Sequence, residues 1–195
     1  MDNLIKVMPA IALRGTTILP DMIVHFDISR PKSIKAVEEA MTQDQKIFLV
    51  TQKDPQIENP GMADLYKVGT VAVVKQVVKM PKEALRVLVE GVERAELVGM
   101  EEDLSYLEAE IAGFEEEEKM LSGNVKEAML RSMKEIFMAY CKENPKISKE
   151  LIGQILDIED VERLVDQICI NLPLDYEQRQ QLLEAVALEE RYELL

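Results

Sequence analysis

Tryptophan is absent from this chain of 195 residues, and all aromatics together make up only 5% of it. Its core must therefore be aliphatic, with 11 methionines as flexible filler and as material for adaptable binding surfaces. There is one histidine, His25, set in an apolar segment. No nucleophile or orienting partner for it is identifiable, so it is not a candidate general base. The two cysteines, Cys141 and Cys169, are too few for a disulfide framework or a thiolate metal site. No apolar run reaches the length of a membrane span and no signal-peptide pattern occurs, so a reducing cytoplasm is the expected compartment. Phosphate-cradling loops, glycine-rich dinucleotide fingerprints, G-x-S-x-G and H-E-x-x-H are all missing. Carboxylates are abundant, and pairs of them arise from composition alone. The expectation is no catalytic residue, no metal and no cofactor.

A basic excess is missing too. The formal net charge is −14, and it is unevenly distributed. Residues 1–100 hold 13 Lys+Arg and 13 Asp+Glu, whereas residues 101–195 hold 10 and 24. A neutral half followed by an acidic half points to two modules. It argues against nucleic acid as a ligand, because phosphate binding needs clustered cations.

What is present is 47% apolar residues, enough for a sizeable core. The first half reads as strand. "AIALR" alternates, with Ile11 and Leu13 on one face, and "MIVHFDI" is a second strand. Ser29 is placed to cap a helix that tolerates Pro31 in its first turn and carries Ile34, Val37 and Met41 on one face. "KIFLVTQ" has the continuous apolar character of a central strand. Residues 53–69 read as a long loop with one helical turn near Ala63–Tyr66. Two valine-rich strands follow, joined by a hairpin at "MPKEA". Gly91 marks a bulge or bend, and Gly69 and Gly99 are further candidate corners. A last strand puts Leu107, Ala109 and Ile111 on one side. The sum is a strongly bent sheet or open barrel with one early helix.

After Phe114 the character changes. "EEEEK" at 115–119 reads as a solvated connector rather than a cation site. From Ser122 the pattern is helical: Val125, Met129, Met133, Ile136, Phe137 and Tyr140 share a face. Ser148 and Asp157 are the expected caps of the next two helices, the second carrying Val161, Leu164, Val165 and Ile168 inward. Asp175 with Gln178 forms a capping box, and the helix it opens presents Leu182, Leu183 and Val186. That helix is expected to run through "ALEERYELL" and to be the first turns of a longer one. The fold class is thus α+β, with a β-rich subdomain over 1–116 and an α-helical bundle over 117–195.

The opening stretch "PAIALRGTTILPDMIVHFDISRPKSIKAVEEAM" resembles the start of the bacterial Lon protease family. The matching residues are Leu13, Arg14, Pro20, Arg30, Lys32, Ser33, Ile34 and Ala36. The likeness continues through "IFLVTQKDP" (47–55), "ADLYKVGTVAVVKQVVKMP" (63–81), "RVLVEGVERAEL" (86–97) and "LPLDYEQRQQLLEAVALEERYELL" (172–195). It departs from the family at Gly15, where an acidic residue is common, at His25-Phe26-Asp27, and at Ser29 in place of glycine. The resemblance implies an amino-terminal substrate-recognition domain: a PUA-like β subdomain followed by a helical one. It implies an ATP-driven module and a Ser-Lys protease module elsewhere in the parent enzyme, so ATP and Mg are expected only there. Its implied partners are unfolded or damaged proteins and further subunits of a hexamer, with neither nucleic acid nor membrane. The alternatives are an assembly module and a stand-alone Lon-like binding protein.

A receptor for unfolded chains needs adaptable apolar surface. Two turns supply candidates: Ile18, Leu19, Pro20, Met22 and Ile23 in the first, and Met80, Pro81 and Leu85 in the second. Ile18, Leu19 and Ile23 are equally well read as a plug closing one end of the barrel, since Ile and Leu are most often buried. Met22 and Met80 flank turn prolines and are expected to be exposed.

Overall fold

The computed structural model describes residues 5–101, 105–114 and 121–195. The "EEEEK" connector expected at 115–119 lies outside the described residues. The fold is α+β and divides into two compact units: Met1–Glu115 with Asp175–Glu184, and Glu116–Leu174 with Ala185–Leu195.

In the first unit, alternating and valine-rich segments become β1 (Lys6–Leu13), β2 (Ile23–Ile28), β3 (Lys46–Thr51), β4 (Val68–Lys79), β5 (Leu85–Glu101) and β6 (Leu107–Gly113). Helix α1 (Pro31–Thr42) lies between β2 and β3 in the chain. The strand order is β2-β5-β4-β3-β1-β6, and β5 also pairs with β6, which closes five strands into a barrel and leaves β2 outside the ring. Only β1 and β3 are parallel; the other ladders are antiparallel. The 17-residue β5 serves both parts: residues 95–101 pair with β6 and residues 85–90 with β2. Such a long strand stays in one closed sheet only by bending. Its ladders skip Val92 and Val98 at register shifts, and both valines are left exposed.

The barrel interior is filled by short and branched side chains around one ring. Met8, Ala10, Ala12, Phe48, Val50, Leu65, Val71, Ala95, Leu97, Leu107, Ala109 and Ile111 form one buried cluster. The opposite face of β1 and β3 carries Ile11, Leu13, Ile47 and Leu49, which are buried as well, and α1 packs on these two strands. Gly69 makes room for the one interior ring: a Cβ there would sit 2.5 Å from Phe48 Cζ.

Several local expectations change. Arg30, not Ser29, holds the N-cap position of α1, with no side-chain cap and Pro31 at the first helical position. The helix buries Ser33, Ala36, Val37 and Ala40 and leaves Met41 exposed, so its contact face is one of small residues. Small side chains let the helix axis lie close on the sheet. The expected helical turn near 63–66 is a 3-10 turn at Met62–Asp64.

Helix α5 (Tyr176–Glu184) counts with the strands and departs from the expected division at 116/117. The reason is a set of cross-links to the barrel. Gln180 Nε2 donates to Val68 O at 3.0 Å, Arg94 Nε donates to Leu183 O at 3.2 Å, and Thr17 Oγ1 donates to Tyr176 O at 3.0 Å. Asp175 and Gln178 form the reciprocal capping box that opens it.

The second unit holds α2 (Gly123–Glu143), α3 (Lys149–Leu156), α4 (Val161–Asn171) and α6 (Leu188–Leu194). In α2 the buried stripe is Met133, Phe137 and Cys141, at a spacing of four, while Val125 and Ile136 are exposed. Among the described residues its main neighbours are α4 and α3. In α4, Val161, Leu164, Val165 and Ile168 are all buried as expected, but the cap is Asp160, accepting from Arg163 N at 2.8 Å. Asp157 instead ends α3, whose start is capped by Ser148. The terminal helix is not continuous: residues 185–187 separate α5 from α6. The buried Arg191 side chain donates to the carbonyls of Ala185 and Val186 at this break, and it contacts Glu162 at 3.2 Å and Asp166 at 3.0 Å.

A Cβ at Gly91 would lie 2.3 Å from Leu19 O, a backbone atom that cannot swing aside. Gly91→Ala is therefore expected to destabilise the first unit by about 1–3 kcal/mol, read by urea denaturation; an unchanged midpoint would show that the close approach is not maintained in solution.

Candidate functional site

The first candidate turn is stitched into the barrel wall. Thr70 Oγ1 donates to Ile18 O at 2.6 Å, and the Thr17 and Thr51 hydroxyls lie 2.8 Å apart. Asp21 N donates to Gly91 O at 3.0 Å, and Gly91 N donates to Met22 O at 2.9 Å. Asp21 adopts a left-handed φ of 64°, and Met22 N closes the turn on Leu19 O at 3.2 Å. The Met22 thioether folds back, accepting from Leu19 N at 3.2 Å. Ile18, Leu19 and Met22 are all buried.

This corrects the expected exposure of Met22 and resolves the two readings of Ile18 and Leu19 in favour of packing. These three side chains are not offered to a partner. Turn prolines left the direction of Met22 open; the hydrogen bonds to Gly91 fix it inward. Ile23, the next residue, is 68% exposed, the largest value among the large apolar side chains of the described residues. Pro20 is half-buried.

The second turn is more open. Met80, expected to be exposed, is half-buried, as is Leu85, and Pro81 is exposed. Met80 N donates to Ala84 O at 2.8 Å, closing a tip in which Lys82 and Glu83 both have positive φ. The β2–β5 register sets Ile28 opposite Leu85 and Ile23 opposite Glu90. Met80, Pro81 and Leu85 therefore meet at one end of this ladder and Ile23 stands at the other, roughly 17 Å away at the usual strand rise.

Between the two ends lies a surface that the sequence reading did not single out. A depression of about 310 Å³ is lined by His25, Gln76, Val78, Arg86 and Leu88. The ladders make these residues neighbours, with His25, Leu88 and Gln76 in one row and Asp27, Arg86 and Val78 in the next. The alternation of "IVHFDI" and "LRVLV" was the available signal. Arg86 grips Asp27 with two hydrogen bonds, Nε to Oδ1 at 2.7 Å and Nη2 to Oδ2 at 2.9 Å. The hydrogen bond from Arg86 holds the Asp27 carboxyl below its ordinary value, with the guanidinium charge adding to it.

A second depression, of about 180 Å³, is lined by Ile11–Leu13, Arg14 and Thr16 from one side and by Phe26–Arg30 and Ser33 from the other. Arg30 anchors it. Its guanidinium donates to Ala12 O and to Gln52 Oε1, the latter at 2.8 Å. Burial is the main cause that lowers its pKa below the usual arginine value. The buried Gln52 in turn donates to the carbonyls of Asp54 and Ile57, fixing the loop after β3. Arg30 and Arg14, both part of the family-like motif, thus organise loop backbone. Among the described residues no group of three His, Cys, Asp or Glu could hold a metal ion, and no helix is long and apolar enough to cross a membrane.

Comparison with known proteins decides the family. The model of the "ATP-dependent protease La (LON) substrate-binding domain" matches residues 7–195. The chain belongs to the Lon substrate-binding domain family. It is 40% identical over its full length to a Lon protease of Lachnoclostridium phytofermentans and 40% identical, again over its full length, to one of Desulforamulus reducens. It spans 24% of the length of each of these relatives. The N-terminal domain of a Mycobacterium avium complex Lon protease has the same fold, with a TM-score of 0.76 at 20% identity, covering 97% of this chain and 95% of that one. The Lon N-terminal domain protein of Xanthomonas campestris matches with a TM-score of 0.64 at 13% identity, covering 96% of this chain and 95% of that one. Of the apolar side chains named in the two turns, Ile23 and Pro81 are exposed, Pro20, Met80 and Leu85 are half-buried, and Ile18, Leu19 and Met22 are buried.

Asp27 offers a check on the surface geometry. Its folded-state pKa is depressed, so the stabilisation from the Arg86 pair is present above the ordinary carboxylate pKa and is lost as pH falls through the folded value. Carboxyl NMR titration should find Asp27 below the usual range and Arg86→Ala should raise it; an Asp27 that titrates normally would mean the pair does not persist in solution.

Proposed function

We propose that this chain is the part of a cytoplasmic Lon-type protease that recognises unfolded or damaged protein substrates through exposed apolar side chains. Ile23, Met80, Pro81 and Leu85 carry the contact, with Val78 between them. The observation that carries this reading is the exposure of Ile23, Val78 and Pro81, with Met80 and Leu85 half-buried beside them, in a family described by substrate binding. Ile23 shares its face of the sheet with the exposed Val78, so the two form part of one apolar surface rather than isolated positions. An unfolded chain, whose apolar side chains are uncovered, can cover such a surface. Contacts of this kind are weak singly and gain by avidity when several copies act together. In this reading the region binds and positions. It hydrolyses neither ATP nor peptide and takes no cofactor of its own.

A second role, support of hexamer assembly, draws on different residues. Val125, Ile136 and Met138 of α2 are exposed apolar positions on the helical unit, the kind of surface a neighbouring subunit covers.

Fluorescence titration with a permanently unfolded protein tests the recognition reading. Ile23→Asp is expected to weaken binding by about tenfold, the loss of one apolar anchor, with stability unchanged. Met22→Ala should behave oppositely, destabilising by about 2–5 kcal/mol while leaving the affinity of the folded chain intact. If Ile23→Asp binds normally, this surface is not the receptor. For assembly, sedimentation of the wild type against Ile136→Asp discriminates: self-association abolished by the substitution with client binding intact is the expected pattern.

A further inference from the structure

β2 is the one strand of the sheet that stands at an open end of the order β2-β5-β4-β3-β1-β6. Among the described residues its six residues pair only with β5, and no other backbone group bonds to Ile23–Ile28. Which of its groups are free follows from the antiparallel alternation. At one end of the ladder, Gly91 N donates to Met22 O. At the other end of β5, Met80 N donates to Ala84 O, so the even residues of β5 face β4 and the odd ones face β2. Their β2 partners are Val24, Phe26 and Ile28. The N–H and C=O groups of Ile23, His25 and Asp27 therefore point away from the sheet, two residues apart, in the arrangement an incoming strand requires.

Natural edges of this kind are blunted by lysine, by proline or by a covering segment. β2 contains neither residue, and none of the described residues pairs with its outer edge. Both faces beside the edge are instead hollowed. His25 and Arg86 line the larger depression, and Phe26, Asp27, Ile28 and Arg30 line the smaller one. A strand laid against β2 projects its side chains alternately toward these two hollows.

Charge selects among occupants. The segments bordering the edge, residues 14–35 and 75–90, hold eight Lys+Arg and four Asp+Glu in a chain whose formal net charge is −14. A second copy would bring the same positive surface to the edge. An apolar segment carrying acidic residues is complementary.

We propose that the outer edge of β2 binds an extended client segment by strand addition, with apolar residues entering the two depressions and carboxylates meeting the surrounding cations. This rests on the client-recognition reading and specifies how the client is held: by main-chain hydrogen bonds to Ile23, His25 and Asp27, running from the exposed Ile23 toward the β4–β5 tip.

Amide hydrogen exchange followed by NMR tests it, with a capped ten-residue peptide of repeating Val-Val-Glu-Glu, which turns valine and glutamate to both faces of the strand, as probe and unfolded β-casein in parallel. The peptide is expected to slow exchange at Ile23, His25 and Asp27. His25→Pro removes one outward N–H without touching a bond to β5, and should weaken peptide binding by about tenfold, one backbone hydrogen bond. His25→Ala, which keeps the N–H, should bind like the wild type. Unchanged protection of Val89 in His25→Pro verifies that the ladder survives; if that variant does not fold, the wild-type protection pattern decides alone. Strand addition is overturned if either ligand binds while these three amides stay fast, and in that case client recognition by side chains stands. If neither peptide nor casein binds, both readings fail. Protection that rises with chain concentration alone assigns the edge to a second copy, and a lysine-for-glutamate peptide binding equally well removes the charge argument.

Discussion

The approach of residues 17–22 to Gly91 is the constraint on which the rest of this surface depends. Two backbone hydrogen bonds join Asp21 and Met22 to Gly91, and the Leu19 carbonyl occupies the space a side chain at that position would need. This docking turns Ile18, Leu19 and Met22 into core. It also sets the phase of β2: with Met22 tied to β5, the next residue must face outward, and the alternation that follows leaves every second backbone unit unpaired. One missing Cβ thus fixes both what is buried and what is offered.

The same constraint explains what could be read from the sequence. Strand and hairpin positions were legible because valine-rich alternation and the turn at 80–84 are local signals. The buried side of the last strand and the inward face of α4 were legible for the same reason. The direction of Met22 was not, because it depends on a partner about seventy residues away. The place of α5 was hidden likewise: it looks like any amphipathic helix, and the bonds of Thr17, Gln180 and Arg94 between it and the barrel join it to the first unit. The break at 185–187 is held by Arg191, a charged residue that a reader of helical patterns places on the surface. In α2 the face was drawn too wide, since periodicity gives the orientation of a stripe but not how much of it a neighbour covers.

The candidate site shows a similar split. The family match bears out the resemblance to Lon. Of the turn residues named from the sequence, Ile18, Leu19 and Met22 are buried, Pro20, Met80 and Leu85 half-buried, and Ile23 and Pro81 exposed. What no single segment of the sequence displayed was the surface between the two turns, because His25, Arg86 and Gln76 come from three strands. Each is unremarkable alone. Brought together beside an unpaired edge, in a locally basic region of an acidic chain, they form the surface on which the proposed strand addition rests. Backbone recognition suits a receptor of many clients, since all of them carry it.

The central claim is that residues 17–22 are locked to β5 while the outer side of β2 is open. Native-state hydrogen exchange of the free chain measures this directly. The amides of Asp21 and Gly91 should exchange only through global unfolding of the first unit, and those of Ile23, His25 and Asp27 should exchange close to the rate of an unstructured chain. Rapid exchange at Asp21 and Gly91 would contradict the account, because it would mean the turn opens and Met22 is available at the surface after all.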